Sequence, residues 1–171
     1  KQGTLEQIRG IINLSQELEE KKVAERIKSA TESYLLNYKV PISIRMEYAN
    51  SKSIGGELII WAIFSNNHNI NEINPILLAG DALLEKNKSS EDVAKEAVAE
   101  LKQSIESQAC VDPHLADQLI MFLGLLPGSE IKCAQITPHT THNISIAETF
   151  LPVKFQINEK YIKITTNQKD L

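Results

Sequence analysis

Two histidines stand three residues apart near the end of the chain, in the run "ITPHTTHNI" from Ile136 to Ile144. Both imidazoles could bind a metal, although no cysteine lies close by and a structural site would need two further ligands. Alternatively, Thr140, Thr141 and Asn143 cap a helix and His139 is a surface loop residue. In a third interpretation, His139 precedes a helix N-terminus that binds phosphate and disfavours protonation of the ring. A neutral imidazole beside a bound phosphate is a potential nucleophile.

A second polar cluster lies in "DPHLADQLI", where Asp112 and Pro113 predict the start of a helix. In such a helix His114, Asp117 and Gln118 occupy positions i, i+3 and i+4 and share one face. A ring for stacking, a carboxylate for a metal or hydroxyl and an amide near a positive helix end suit a nucleotide. Alternatively, this is only the polar face of a helix whose other side is core. That core side would carry Leu115, Leu119 and Leu123.

The elements that position these residues follow from apolar periodicity and turn residues, which predict a mixed α/β (α+β) chain. Helices are predicted at 17–36, from Ser89 to about Ile105, at 113–124 and at about 140–150. Strands are predicted at 4–14, 42–48, 58–64, 76–79 and 130–135, and a hairpin pairs 153–157 with 161–165 around Asn158-Glu159. The pattern breaks near 107–111. The block after the break has only about 60 residues and is small for an independent core.

Composition restricts the class of protein further. With 171 residues and 42% hydrophobic content, a globular core is expected. No apolar run approaches the ~20 residues of a membrane span, and the N-terminus lacks signal-peptide features, so we expect a cytoplasmic protein without membrane contact. The net charge of -4 argues against a generally basic nucleic-acid coat but allows a local basic pocket for an RNA end. Cys110 and Cys133 have apolar neighbours, which suggests buried reduced thiols.

Two weaker signals concern phosphate binding. The stretch 51–56 has glycines and Lys52, which weakly indicate a phosphate loop. The same pattern favours a hairpin turn more strongly. Arg9 and Arg26 could meet phosphate or could be ordinary solvated charges.

Six stretches, spread over nearly the whole chain, carry a likeness to one family. They are "IRGI" (Ile8–Ile11), "VAERI" (Val23–Ile27), "GELIIWA" (Gly56–Ala62), "GDALLEKNKSSEDVAKEA" (Gly80–Ala97), "HLADQLIMFL" (His114–Leu123) and "ITPHTTHNISIAETFLPVKF" (Ile136–Phe155). In this order they resemble the RNA 3'-terminal phosphate cyclase family. Such a collinear set is far more specific than any single motif.

The resemblance implies a fold and a domain organisation. Members of the family are about twice as long, and this chain resembles only their C-terminal half. Their large domain repeats a unit of two helices on a four-stranded sheet, with a smaller α/β domain inserted. Residues 1–108 would be the inserted α/β domain, and 109–171 the C-terminal repeat of the large catalytic domain. The N-terminal half of the large domain, whose glycine-rich and basic motifs are absent here, is an expected partner.

The resemblance also implies an activity, that of an ATP-dependent ligase-type nucleotidyl transferase. In the family a histidine attacks the α-phosphate of ATP and forms a covalent histidine-AMP. AMP then passes to an RNA 3'-terminal phosphate, and the neighbouring 2'-hydroxyl closes a 2',3'-cyclic phosphodiester. The nucleophile falls on His139, whereas His142 receives no role. ATP with a divalent cation (Mg or Mn) and RNA 3'-phosphate ends are the implied cofactor and partners.

The family's nucleotide-contact segment falls on consecutive residues of the second cluster. They are His114, Leu115, Ala116, Asp117 and Gln118. His114 would stack on adenine, at a place where some relatives have tyrosine, and Asp117 would also be a metal ligand. Three residues depart from the family pattern. Leu84 and Asn87 stand where glycines are usual, and His142 is not the usual residue.

Two alternatives differ in class from the enzyme. One is a non-catalytic cyclase-like protein that acts as a scaffold in ribosomal RNA processing, and the other is an inactive interaction module. Scaffold relatives lack the nucleophilic histidine, so the presence of His139 favours the enzyme.

Overall fold

The computed structural model of the chain describes residues 1–66, 69–71, 73 and 75–158 and the backbone of residues 163–168. Helices and strands mix along the chain, so the predicted mixed α/β class is confirmed. Residues 2–103 form one compact unit, and residues 104–171, together with residue 1, form another. No helix among the described residues is long and apolar enough to cross a membrane.

The first unit is a four-stranded mixed sheet with helical connections. Its elements are β1 (Thr4–Ser15), α1 (Val23–Leu35), β2 (Ile42–Ala49), β3 (Gly56–Ser65), β4 (Ile76–Leu84) and α2 (Ser90–Glu106). The strand order is β2-β1-β3-β4. The pair β1–β2 is parallel, whereas β1–β3 and β3–β4 are antiparallel. Because a parallel pair requires a crossover connection, α1 lies between β1 and β2 in the sequence.

Both helices of this unit contribute buried faces at helical spacing. Val23, Ile27, Thr31 and Leu35 are the buried positions at four-residue intervals on α1. On α2 the fully buried residues include Val93, Ala97 and Leu101. A side chain at Gly80 of β4 would collide with the backbone of Ala97 and Leu101, so only glycine allows α2 to lie this close to the strand.

Three predicted features of the first unit need correction. The helix predicted at 17–36 begins only at Val23, because Lys22 has a positive φ of 50° and a separate 3-10 turn occupies Gln16–Leu18. β4 continues to Leu84, since pairing with β3 outweighs the low strand propensity of Gly80 and Asp81. The hairpin turn predicted at 51–56 is not a hairpin, because β1 lies between β2 and β3.

The second unit combines two helices with a three-stranded antiparallel sheet. Its elements are α3 (Pro113–Leu125), β5 (Glu130–Lys132), α4 (Pro138–Phe150), β6 (Val153–Asn158) and β7 (Lys163–Gln168), and the strand order is β5-β7-β6. The predicted hairpin is confirmed, with Asn158 opposite Lys163. Its second strand is described over Lys163–Gln168, and the predicted turn residue Glu159 and strand start Tyr161 lie outside the described residues. β5 is shorter than the strand predicted at 130–135.

The core of this unit lies between α3, α4 and the sheet. Its buried members are Val111, Ala116, Ile120, Leu123, Cys133 and Ala147. Both cysteines are free thiols, but only Cys133 is fully buried as predicted, whereas Cys110 is half-buried. Burial raises the pKa of the Cys133 thiol to about 11, and the nearby negative charge of Asp117 acts in the same direction. The Cys133 thiol is therefore protonated at neutral pH.

Candidate active site at the start of α4

The N-terminus of α3 carries the first of the predicted clusters. Asp112 is the N-cap, and its Oδ1 accepts a hydrogen bond of 2.8 Å from the backbone N–H of Leu115. Pro113 occupies the first helical position, where a missing N–H costs nothing. The predicted helix start is confirmed.

The N-terminus of α4 has the same construction, with Thr137 as N-cap and Pro138 at the first helical position. Thr137 and Thr140 form a reciprocal capping box. Thr137 Oγ1 accepts from the Thr140 N–H at 3.0 Å, and Thr140 Oγ1 accepts from the Thr137 N–H at 3.1 Å. The prediction that the helix begins near Thr140 and that His139 precedes it is wrong. His139 lies inside the first turn because the Thr-Pro pair starts the helix earlier.

Asp117 joins the two helices. Its carboxylate accepts hydrogen bonds from Thr137 Oγ1, at 2.9 Å to Oδ1 and 3.1 Å to Oδ2, and from the hydroxyl of Thr140. The carbonyl oxygen of Asp117 accepts a further hydrogen bond of 3.0 Å from Asn143 Nδ2. The N-cap of α4 and two residues from its first two turns therefore converge on a single residue of α3. We call this set of contacts the Asp117 junction.

Burial strengthens the Asp117 junction. Thr140 is 0% exposed, so its hydroxyl has no access to water and depends on protein partners. Ala116 and Ile120 of α3 and Ala147 of α4 pack in the same core beneath the junction. Hydrogen bonds and apolar packing thus fix the start of α4 against α3.

The junction leaves the histidines of α4 on the surface. Both His139 and His142 are exposed. Among the described residues, no two further metal-binding side chains lie close enough to complete a site with either imidazole. The described structure therefore gives no support to a metal site built on this pair, whereas an exposed imidazole in the first turn of a helix is open to a ligand.

The predicted nucleotide-contact residues divide into exposed and buried ones. His114, Leu115 and Gln118 are exposed, Asp117 is half-buried and Ala116 is fully buried in the core. The predicted placement of Leu115 in the core is wrong, because Leu115 is 38% exposed. The core side instead runs through Ala116, Ile120 and Leu123, with Leu119 packed partly against it.

The glycine loop at 51–56 and Arg9, two further predicted phosphate contacts, have local hydrogen-bond partners. The Ser15 hydroxyl donates to the carbonyl oxygens of Ser53 and Gly55 at 3.2 and 2.8 Å, so the glycine loop is held against the end of β1. Arg9 Nε donates to Gln7 Oε1 at 3.2 Å. These residues belong to the first unit, whereas His139 belongs to the second.

The sequence interpretation missed Thr137 and the role of Thr140. The Thr137-Pro138 pair repeats the cap-proline pattern of Asp112-Pro113, and that repetition was the available signal. The contact to Asp117 had no comparable signal, because Thr137 and Thr140 lie 20 and 23 residues after Asp117 in the sequence.

Comparison with known proteins identifies the group to which this arrangement belongs. The family model for RNA 3'-terminal phosphate cyclase matches residues 2–157. The chain belongs to the RNA 3'-terminal phosphate cyclase family. The match covers both units, including the cyclase-family segments that carry His114 to Gln118 and His139.

Several curated relatives are also named RNA 3'-terminal phosphate cyclase. The one from Pyrococcus furiosus is 37% identical over 135 residues, which are 79% of this chain and 36% of the relative. The one from Thermococcus onnurineus is 36% identical over 148 residues, 86% of this chain and 41% of the relative. The Pyrobaculum aerophilum protein is 35% identical over 140 residues, 81% of this chain and 38% of the relative. The chain thus spans about two fifths of the length of these cyclases.

Proposed function

We propose that this chain forms part of an RNA 3'-terminal phosphate cyclase and that His139 is its nucleophile. One observation carries the proposal. The Asp117 junction joins the predicted nucleotide-contact segment directly to the helix start that bears His139. An exposed imidazole in the first turn lies near the partial positive charge of the helix end, which favours bound phosphate.

The proposed reaction has three steps. A lone pair on an imidazole nitrogen of His139 attacks the α-phosphorus of ATP, the bond to the β-phosphate oxygen breaks, and pyrophosphate leaves with the electron pair. An oxygen of the RNA 3'-phosphate then attacks the same phosphorus and releases the imidazole. Finally the neighbouring 2'-hydroxyl loses its proton and attacks the RNA 3'-phosphate, so that the 2',3'-cyclic phosphodiester forms and AMP leaves.

In this mechanism the chain contributes chiefly orientation. A nucleophile and a phosphorus atom held in line react much faster than free reactants, so a fixed helix start is worth several kcal/mol of the barrier. Asp117 acts as a positioning residue through Thr137 and Thr140. His114 and Gln118, exposed on the same helix as Asp117, would contact the base and sugar.

A divalent cation, Mg²⁺ or Mn²⁺, would neutralise charge on the triphosphate. Asp117 is the proposed protein ligand, and its donor set fits that role. From the described residues Oδ2 accepts only the 3.1 Å bond from Thr137, and a carboxylate oxygen can accept more than one partner. Because Mg²⁺ is commonly held by one or two carboxylates together with substrate phosphates, a single protein carboxylate is compatible with such a site.

The proposal also includes partners and a location. Several large apolar side chains of the second unit are exposed, including Phe122, Leu125, Leu126 and Phe150 at 62% or more. An exposed apolar surface of this kind is typical of an interaction site. We propose that the N-terminal half of the large domain covers it, in the cytoplasm, where ATP and RNA 3'-phosphate ends are both present.

The test of the nucleophile is covalent labelling with ATP that carries a radioactive α-phosphate. The 171-residue chain is incubated with the ATP and Mg²⁺, both alone and with the part of the Pyrococcus furiosus cyclase that it does not match. We expect an acid-labile adduct that His139→Ala abolishes. His142→Ala is the matched control and retains the label, since this imidazole lies one turn further along α4 and has no role in the mechanism.

The outcomes separate the competing functions. Label that survives His139→Ala, or that disappears equally with His142→Ala, would contradict the assignment. No label under either condition would favour the non-catalytic scaffold. The metal role of Asp117 is tested by Asp117→Asn, which keeps an acceptor oxygen but removes the charge, and we expect it to raise the Mg²⁺ concentration needed for half-maximal labelling.

A further inference from the structure

The first unit contains a basic cavity that the chemistry at His139 does not use. Its volume is about 630 Å³, and its lining residues all lie between Leu18 and Ser90. Pockets for small ligands commonly have volumes of about 300–1,000 Å³. The cavity is therefore large enough to accept part of a polymer or a small organic molecule.

The charge of this cavity is opposite to that of the chain. Four basic side chains and one acidic side chain, Glu85, line it, whereas the whole chain has a net charge of -4. Lys21, Arg26 and Lys86 are exposed. None of these three side chains takes part in any of the hydrogen bonds or ion pairs of the described residues. Three cations without protein partners face one cavity, an arrangement that favours an anionic ligand.

The fourth basic residue, Lys88, has a structural role. Its Nζ lies 2.6 Å from Glu96 Oε2 and donates to the carbonyl oxygen of Leu83 at 3.2 Å. These contacts hold the segment between β4 and α2 that forms one wall of the cavity. Lys88 is therefore left out of the binding proposal.

The cavity also has apolar walls. Leu18 and Val23 are buried at its base, and Ile54 is 69% exposed at its edge. Helix α1 begins at Val23 without a side-chain cap, so the positive end of the helix adds to the field of the cations. Apolar walls beside unpaired cations match a nucleotide, which combines an apolar base face with a phosphate.

We infer that the basic cavity binds a phosphate and an adjacent base of single-stranded RNA, with Lys21, Arg26 and Lys86 as the phosphate contacts. The choice of RNA rests on the proposed function, since the substrate of that reaction is an RNA end. An acidic peptide would use the same cations but would leave the apolar walls and Ile54 without a partner. Since lysine and arginine contacts to phosphate release counterions, binding should weaken steeply with salt.

The test measures the fluorescence anisotropy of a short labelled oligouridylate as the 171-residue chain is added at several salt concentrations. The triple variant Lys21→Ala, Arg26→Ala, Lys86→Ala should bind about tenfold or more weakly. For single strands each phosphate contact contributes about 0.7 to the slope of log affinity against log salt, so the slope should fall in magnitude by about 2. Ile54→Ser should weaken binding without changing that slope.

The matched control is the triple variant Lys28→Ala, Arg45→Ala, Lys95→Ala, which removes the same charges from the same unit outside the cavity. An equal loss in both triple variants, or no binding by the unsubstituted chain at low salt, would overturn the inference. Tighter binding of an acidic peptide of equal charge at the same residues would also overturn it. Labelling of unsubstituted protein by ATP is read separately, so a failure of the proposed adenylylation and a failure of this RNA site are distinguishable.

Discussion

The starts of α3 and α4 use the same local sequence device for different purposes. Each begins with a capping residue followed by proline, Asp112-Pro113 and Thr137-Pro138. The Asp112 side chain caps its own helix through Leu115. The Thr137 side chain caps its own helix and also donates to Asp117 on the neighbouring helix. A cap that also donates to a neighbouring helix fixes the position of its own helix as well as the residue at which that helix begins.

Removing the centre of the Asp117 junction should have the largest effect. Asp117→Ala deletes the acceptor of the Thr137 and Thr140 hydroxyls and leaves the buried Thr140 with one partner fewer. Hydrogen bonds to charged groups are worth about 1.5–3 kcal/mol each, so we expect the free energy of unfolding to fall by about 3 kcal/mol. Urea denaturation followed by circular dichroism measures this loss.

Asp117→Asn is the matched control for that substitution. It keeps one acceptor oxygen and the volume of the side chain, so it should cost about 1 kcal/mol. Equal losses for Asp117→Ala and Asp117→Asn would mean that the charge, and not the hydrogen-bond acceptor, holds α4 in place.

The buried hydroxyl of Thr140 should come next. Thr140→Val keeps the shape but removes a group that donates to Asp117 and accepts from the Thr137 N–H. We expect a loss of about 2 kcal/mol, because the half-buried Asp117 carboxylate and the backbone N–H of Thr137 both lose a hydrogen bond. Thr140→Ser retains the hydroxyl and should remain closer to the unsubstituted protein. If Val proves better tolerated than Ser in urea denaturation, packing outweighs hydrogen bonding at this position.

A double-mutant cycle tests the difference between the two caps directly. Thr137→Ala and Asp117→Ala should show a coupling energy of about 1 kcal/mol, because these side chains are in contact. Asp112→Ala and Asp117→Ala should be nearly additive, since Asp112 Oδ1 caps the start of α3 at Leu115, whereas Asp117 contacts Thr137, Thr140 and Asn143 at the start of α4. Chemical denaturation of the single and double variants gives both values, and similar coupling for the two pairs would remove the distinction.

The cap within each helix could be predicted from the sequence, whereas the contact between α3 and α4 could not. The start of α3 was predicted correctly because a cap followed by proline is read within two residues. The start of α4 was predicted too late, because Thr140, Thr141 and Asn143 offered competing caps after His139. The role of Asp117 depends on how two helices pack, and no short pattern within either helix specifies that packing.

The rest of the fold shows the same division. Alternating apolar residues predicted β2, and a continuous apolar run predicted the central strand β3 correctly. The segment between them was misread as a hairpin turn, because strand neighbours depend on topology and β1 lies between the two. Leu115 was assigned to the core by its residue type, whereas the packing of α3 places the smaller Ala116 there.

The smallest expected effect concerns Cys133, a core residue whose thiol is influenced by the charge of Asp117. Burial raises the pKa of this thiol to about 11, and the negative charge of Asp117 adds to the increase. Because the folded-state pKa exceeds the unfolded value of about 8.5, the thiol's contribution to stability is complete below that pH. It is lost as the pH rises towards 11, since folding then opposes ionisation of the thiol. The stability of the unsubstituted chain should therefore fall faster between these values than that of Cys133→Ala.

Urea denaturation at a series of pH values measures the difference in the free energy of unfolding between Cys133→Ala and the unsubstituted chain. Other groups that titrate in the same range contribute equally to both proteins, so their contribution cancels in this difference. A constant difference would mean that Cys133 ionises as readily in the folded chain as in the unfolded one. Asp117→Asn should make the difference slightly smaller, because it removes the negative charge that opposes the thiolate.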